Sequence, residues 1–144
     1  HIYTDVLKKS TDPKLDMSRL YKGEVSIVDD VVRVGLNEYM GKGYNDPEGH
    51  RRQPKYSTSN IGEEIRVTVQ KQYNREDLYT VESIQNYLGV HEYYGHGIMN
   101  WNKIGTHWKC YNAQLNHPTF KKLPEYQQDE IRRRKYEYYI NRNH

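Results

Sequence analysis

The stretch His91-Glu92-Tyr93-Tyr94-Gly95-His96-Gly97 limits the folds open to this chain more than any other, because it crowds two imidazoles and a carboxylate onto the end of a helical apolar pattern. Imidazole is the commonest metal ligand. A Glu beside the first His lies too far round a helix to coordinate with it, yet is placed to take a proton from water that a metal activates. Histidines five residues apart stand roughly 140° apart on an ideal α-helix, so an undistorted helix would aim them at different neighbours. A one-residue π-bulge brings them to a common face, and Gly95, immediately before His96, is the residue that best permits one. The spacing therefore predicts a buried helix with local π geometry.

Thr80 is the natural N-cap of that helix and Glu82 an anion in its first turn. Val81, Ile84, Leu88 and His91 recur at helical spacing as its inward stripe, over about residues 80–96. A lone histidine on such a stripe is ordinarily a satisfied core residue; Glu92, Gly95 and His96 turn the reading toward metal. Gly97 ends or bends the helix, residues 100–105 form a turn, and Thr106 is placed to cap a second helix carrying His107, Tyr111 and Gln114 on one face. A catalytic zinc keeps one position for water and takes three protein ligands. His107 is the preferred third, with His117, Glu125, Asp129, Glu130 and Glu137 as alternatives. Tyr111 is a candidate donor to a developing oxyanion, although packing explains a tyrosine there equally well. Cys110, three residues after His107, does not make a convincing Cys/His nucleophile.

The first half reads as strands and connections. Residues 1–22 form a loose lead-in with a short helix near Tyr3 to Lys8. Val25 and Ile27 alternate with polar neighbours, and Asp29-Asp30 then turns toward Val31-Val32-Arg33-Val34 in a strand or hairpin. Glycine, proline and small polar residues make 41–62 an irregular connection, with His50 an exposed loop residue or a substrate contact. Ile65, Val67 and Val69 alternate as a half-buried strand, and this or the earlier strand could hold an extended peptide by its edge. Pro124-Glu125 opens a charged last helix to about Asn141, with Asp129 and Glu130 four residues before Arg133 and Arg134, and with Ile131, Tyr138 and Tyr139 inward.

The 144 residues suit one domain. Leu (8), Ile (9), Val (10) and Phe (1) make up only 28 of them, so the 15 tyrosines are expected to complete the core. A net charge of +3 with dispersed Lys and Arg argues against a dedicated nucleic-acid binder. One cysteine excludes an internal disulfide or a multi-cysteine zinc knuckle, no apolar run approaches a membrane span, and no signal peptide opens the chain. The start at His1 suggests a piece of a longer protein.

Two resemblances follow from these residues. His-Glu-x-x-Gly-His followed by Gly, at 91–97, resembles the signature of the dipeptidyl peptidase III family, zinc exopeptidases whose two motif histidines bind metal and whose glutamate activates water. Their third ligand is a glutamate in a later motif that this chain lacks, so exopeptidase action is not implied. The same stretch with Gly105-Thr106-His107-Trp108-Lys109, Tyr111, Gln114, His117 and Pro118 is similar to C-terminal domains of bacterial RHS (YD-repeat) proteins, which are often secreted polymorphic toxins. The expected architecture is α+β and minimal zincin-like, a small, mostly antiparallel sheet packed on the active-site helix plus C-terminal helices. The expected activity is a zinc-dependent metallopeptidase with Zn2+ on His91, His96 and His107, Glu92 as general base and Tyr111 beside it. Its partners would be a peptide or protein substrate and an immunity protein, and it would be secreted or delivered into target cells as part of a larger protein. The alternatives are a metal-dependent nuclease toxin and a non-catalytic metal-binding domain.

Overall fold

A computed structural model of the chain describes residues 2–28, 32–34, 50–52, 56–70 and 77–143. The architecture is α+β. Helix α1 (Ile2–Lys8) and two short 3-10 turns (Met17–Arg19 and Tyr21–Gly23) lead into strand β1 (Ser26–Val28). A two-stranded ribbon follows, β2 (Val32–Val34) antiparallel to β3 (His50–Arg52). Strands β4 (Tyr56–Ile61) and β5 (Glu64–Gln70) form a hairpin whose turn residue, Gly62, has φ +61. Helix α2 (Val81–Ile84) runs directly into a π-helix, Gln85–Ile98, and α3 (Trp108–Asn116) and α4 (Glu125–Ile140) complete the chain.

β5 is the centre of a three-stranded sheet ordered β1-β5-β4. Its period-two alternation places Ile65, Val67 and Val69 on one fully buried face, and that face meets the π-helix. The contact is close: a Cβ on Gly97 would lie 2.5 Å from Ile65 Cγ2. Leu7, Leu20, Leu88 and Tyr93 fill the same core. α3 packs on the other side of the π-helix, and α4 covers α3. The helix begins as its sequence predicts: Thr80 Oγ1 accepts from Ser83 N–H and Ser83 Oγ accepts from Thr80 N–H, each at 3.0 Å, a reciprocal capping box.

Several expectations change. The sheet is mixed, because β1 runs parallel to β5 with Ser26 opposite Thr68 and does not form a hairpin with Val32–Val34. Asp29, Asp30 and Val31 lie outside the described residues. The stretch 41–62 contains β3 and β4, with 41–49 and 53–55 outside the described residues. β4 reads Tyr-Ser-Thr-Ser-Asn-Ile, too polar to announce a strand, and it exists because β5 offers it a ladder from Tyr56 opposite Val69 to Ile61 opposite Glu64. His50 pairs through its backbone with Val34.

The core is also more aliphatic than the tyrosine count suggests. Tyr3, Tyr87 and Tyr93 are buried, whereas Tyr79, Tyr126, Tyr136 and Tyr139 stand at the surface. A phenol that must keep its oxygen hydrated or bonded is easier to place at a rim than at a centre. Thr106 does not cap α3. Its hydroxyl closes the preceding turn on Lys103, and α3 starts from His107 without a side-chain cap. On α4, Arg132 pairs with Asp129 at 3.2 Å and Arg133 with Glu137 at 3.0 Å in place of the expected i, i+4 pairs from Asp129 and Glu130. Ile131 is fully buried and Tyr138 turns inward, whereas Tyr139 lies 41 % exposed against Trp108.

Gly97 stands one residue before the end of the helix at Ile98, close to where its sequence placed the stop, and it also permits the approach of β5. Gly97→Ala should destabilise the domain by about 1–3 kcal/mol through overpacking against Ile65, read as a lower urea midpoint at unchanged slope. An equal midpoint for wild type and variant would show that the interface is looser than described.

Candidate metal centre

The π-helix delivers the motif as one face. Its bonds reach five residues back, as where Met99 N–H donates to the Tyr94 carbonyl at 2.8 Å, so side chains five apart come to lie over one another. His91 and His96 consequently meet, with their Nε2 atoms 3.2 Å apart. The sequence predicts a single bulge; the structure extends π geometry over 14 residues. Gly95 serves close packing, since a Cβ there would lie 2.8 Å from Cys110 Sγ on α3.

Fixed partners determine where the protons sit. His96 Nδ1 faces the Trp101 carbonyl at 3.0 Å and Asn102 Oδ1 at 2.9 Å. A carbonyl only accepts, so Nδ1 carries the hydrogen and Nε2 presents a lone pair. For His91 the argument runs through two amides. Asn86 Nδ2 donates to the Gln114 carbonyl at 3.1 Å, which leaves Asn86 Oδ1 to accept from Gln114 Nε2 at 2.9 Å. Gln114 Oε1 therefore faces His91 Nδ1 at 2.7 Å and must accept from it. Both Nε2 lone pairs then point at the same space. Bare lone pairs at that separation repel unless a cation lies between them, and two nitrogen ligands of a tetrahedral zinc stand about 3.3 Å apart, given Zn–N near 2.05 Å. The donor set fits a metal ion.

His91, His96 and Cys110 form a buried group whose ligand atoms all lie within 4.8 Å of one another, and this group could hold a metal ion. Cys110 Sγ lies 3.8 Å from both ring nitrogens of His96. Cys110 is not among the ligands that the sequence predicts. The available signal was its place one turn from His107 and Gln114 on α3, but only the close approach at Gly95 makes it a neighbour of His96. His107 is nearby, its ring centroid 4.9 Å from that of His96 and 5.5 Å from that of His91, although it is not among the three clustered ligands. His117 is elsewhere, bonded to Asp12 and Thr119. The acids of α4 are not among the clustered ligands: Asp129 and Glu137 pair with arginines, and Glu125 and Glu130 are exposed.

Glu92 is buried beside the pair. Its Oε1 accepts from the Thr58 hydroxyl on β4 at 2.7 Å, and its Oε2 lies 3.7 Å from His91 Nε2. Burial raises its pKa, opposed by His96 and by the Thr58 bond. Tyr111 places its ring 4.5 Å from His91 and stacks on Tyr138, so packing accounts for it. Burial raises the Tyr111 pKa and keeps the phenol protonated at neutral pH. His91 is held well below the usual imidazole range, first by burial and then by His96 and His107. His107 is lowered to about 4 by burial, His96 and Arg134. Burial, with Glu92 adding to it, raises the Cys110 thiol.

Comparison with protein-family models, with curated proteins and with solved structures found no match.

The depressed histidines set a pH dependence. A group that binds its proton less readily folded than unfolded contributes stability above its unfolded pKa and loses it as pH falls toward the folded one. The metal-free domain should therefore lose stability as pH falls from 6.5 to about 4, with a contribution from His107 on the order of 3 kcal/mol. His107→Gln should flatten urea midpoints across that window; an undiminished slope would remove His107 from the account.

Proposed function

We propose that this domain is a zinc-dependent hydrolase that cleaves peptide bonds. The observation that carries this reading is the convergence of two bare Nε2 atoms, 3.2 Å apart, next to a buried carboxylate. His91 and His96 would hold the ion, with Cys110 or the nearby His107 as third ligand. A zinc ion there supplies a Lewis acid that acidifies water and polarises a carbonyl.

The chain's own residues do the rest. With Oε1 engaged by Thr58, Glu92 is left with Oε2 toward the histidines, where it takes the proton of an attacking water. The oxygen of that water adds to the carbonyl carbon, the carbon–nitrogen bond breaks, and Glu92 returns the proton to the departing amine. Desolvation of Glu92 favours this exchange by bringing its proton affinity closer to that of the groups it serves. Two observations support a peptide over a nucleic acid. β4, the outer strand of its sheet among the described residues, carries Thr58 against Glu92, so an extended peptide paired to it would pass close to the carboxylate. Arg132 and Arg133 are paired to acids on their own helix, which thins the basic surface a phosphate backbone needs. The similarity to RHS tails extends the proposal to a delivered toxin domain with a matching immunity protein. Among the described residues no helix is long and apolar enough to cross a membrane.

One observation favours a second reading. Cys110 is fully buried beside His96, and were it to ligate with the two histidines and Glu92 to move onto the ion from 3.7 Å off His91 Nε2, the site would be closed and the metal structural. Elemental analysis beside a fluorogenic peptide library separates the two. The hydrolase reading expects about one zinc per chain, lost in His91→Ala and His96→Ala, and Glu92→Gln that keeps its zinc while activity falls at least ~100-fold. Zinc lost in Glu92→Gln would indicate the closed site, and no zinc taken up by wild type would overturn both.

A further inference from the structure

The amide that fixes His91 belongs to a longer chain of hydrogen bonds. Beyond Gln114, Asn86 Nδ2 also donates to Thr119 Oγ1 at 3.0 Å, and Thr119 Oγ1 meets His117 Nδ1 at 2.8 Å. The Thr119 backbone N–H also reaches His117 Nδ1, at 3.3 Å, and a backbone N–H only donates. His117 Nδ1 is therefore the acceptor, and its Nε2 carries the hydrogen directed at Asp12 Oδ2, 2.9 Å away. Every direction now follows from a group with no freedom: the Gln114 carbonyl, the Thr119 N–H and the Asp12 carboxylate.

Read outward, His91 donates to Gln114, Gln114 to Asn86, Asn86 to Thr119, Thr119 to His117, and His117 to Asp12. All the donors point the same way, away from the histidine pair and toward a carboxylate. Bonds aligned in this manner polarise one another, most strongly where water is excluded, and Asn86, Gln114 and Thr119 are all buried. Asp12 is itself steadied by Lys14 N–H at 2.9 Å, and with His117 it lines a cleft of about 920 Å3 on the face of the π-helix away from the sheet.

We propose that this chain is the positioning device of the metal centre: Gln114, with Asn86, Thr119, His117 and Asp12 behind it, locks His91 as the Nδ1–H tautomer and raises the basicity of Nε2. A metal-binding histidine commonly donates its other N–H directly to a carboxylate; here three intervening side chains and a second histidine separate the imidazole from the acid. The proposal rests on the reading of His91 as a ligand. It assigns opposite tautomers to two histidines of one chain, which mere packing would not require.

Long-range 1H–15N correlation spectra of the metal-free, 15N-labelled domain test it directly. The expected result is His91 protonated at Nδ1 and His117 protonated at Nε2; His91 protonated at Nε2 overturns the proposal. Zinc titration supplies the second measurement. Gln114→Met, of similar volume but with no acceptor, should bind zinc 10- to 100-fold more weakly and lose the single tautomer at His91, whereas wild-type affinity in that variant also overturns the proposal. Should Gln114→Met not fold, Asp12→Asn at the cleft takes its place, with weakened zinc binding supporting the chain and unchanged binding refuting its outer half. Wild type that takes up no zinc defeats the metal reading alone, and the tautomers then decide the chain by themselves.

Discussion

The π winding of residues 85–98 is the constraint on which the rest of the structure depends. Such winding is rare beyond a single turn because its backbone geometry is less favourable than that of an α-helix, so 14 residues of it require support from their surroundings. Two glycines show where that support acts. At Gly97 the backbone comes within reach of Ile65 on β5, and at Gly95 it comes within reach of Cys110 on α3. The helix is gripped from both sides at the turn that carries His96. A side chain at either position would push one neighbour away and remove the packing that offsets the unusual winding.

The two sides of this helix have different chemistry. Toward the sheet, Ile65, Val67 and Val69 meet Leu88 and Tyr93 in an apolar layer whose stabilisation is non-directional burial. Toward α3 and the turn after it the helix buries Asn86 and His91 against Gln114 and Thr119, and Glu92 meets Thr58 on β4; each of these polar groups must find a partner of the right sense. The polar layer has an added constraint of direction, because reversing one amide leaves two acceptors facing each other. The directed hydrogen bonds are thus concentrated around the histidine pair.

Much of the fold was legible in particular residues. Thr80 capped its helix, Ile65, Val67 and Val69 alternated onto one buried face, and α4 ran from Glu125 to Ile140 as its charge pattern implied. The parallel pairing of Ser26–Val28 with β5 was not legible, since nothing local to that segment selects its partner. β4 escaped for a related reason: Ser57, Thr58, Ser59 and Asn60 make a strand only because a buried neighbour presents unpaired backbone groups. The tyrosines misled because a ring large enough to complete a core also carries an oxygen that favours its edge.

Within the site, the sequence by itself determined the pair His91 and His96, the carboxylate between them and, through the five-residue spacing, the need for π geometry. All of these are local, set by the turn of one helix. Tertiary structure alone decided that Cys110 would stand beside His96, that Thr58 would hold Glu92, and that Gln114, 23 residues from His91, would settle which nitrogen carries a hydrogen. It also brought Asp12 to His117 across 105 residues and aligned every donor between them. The physical reason is that a hydrogen bond or a ligand set depends on direction and separation in space. A sequence states these within a turn of helix, but between elements it leaves them to the packing.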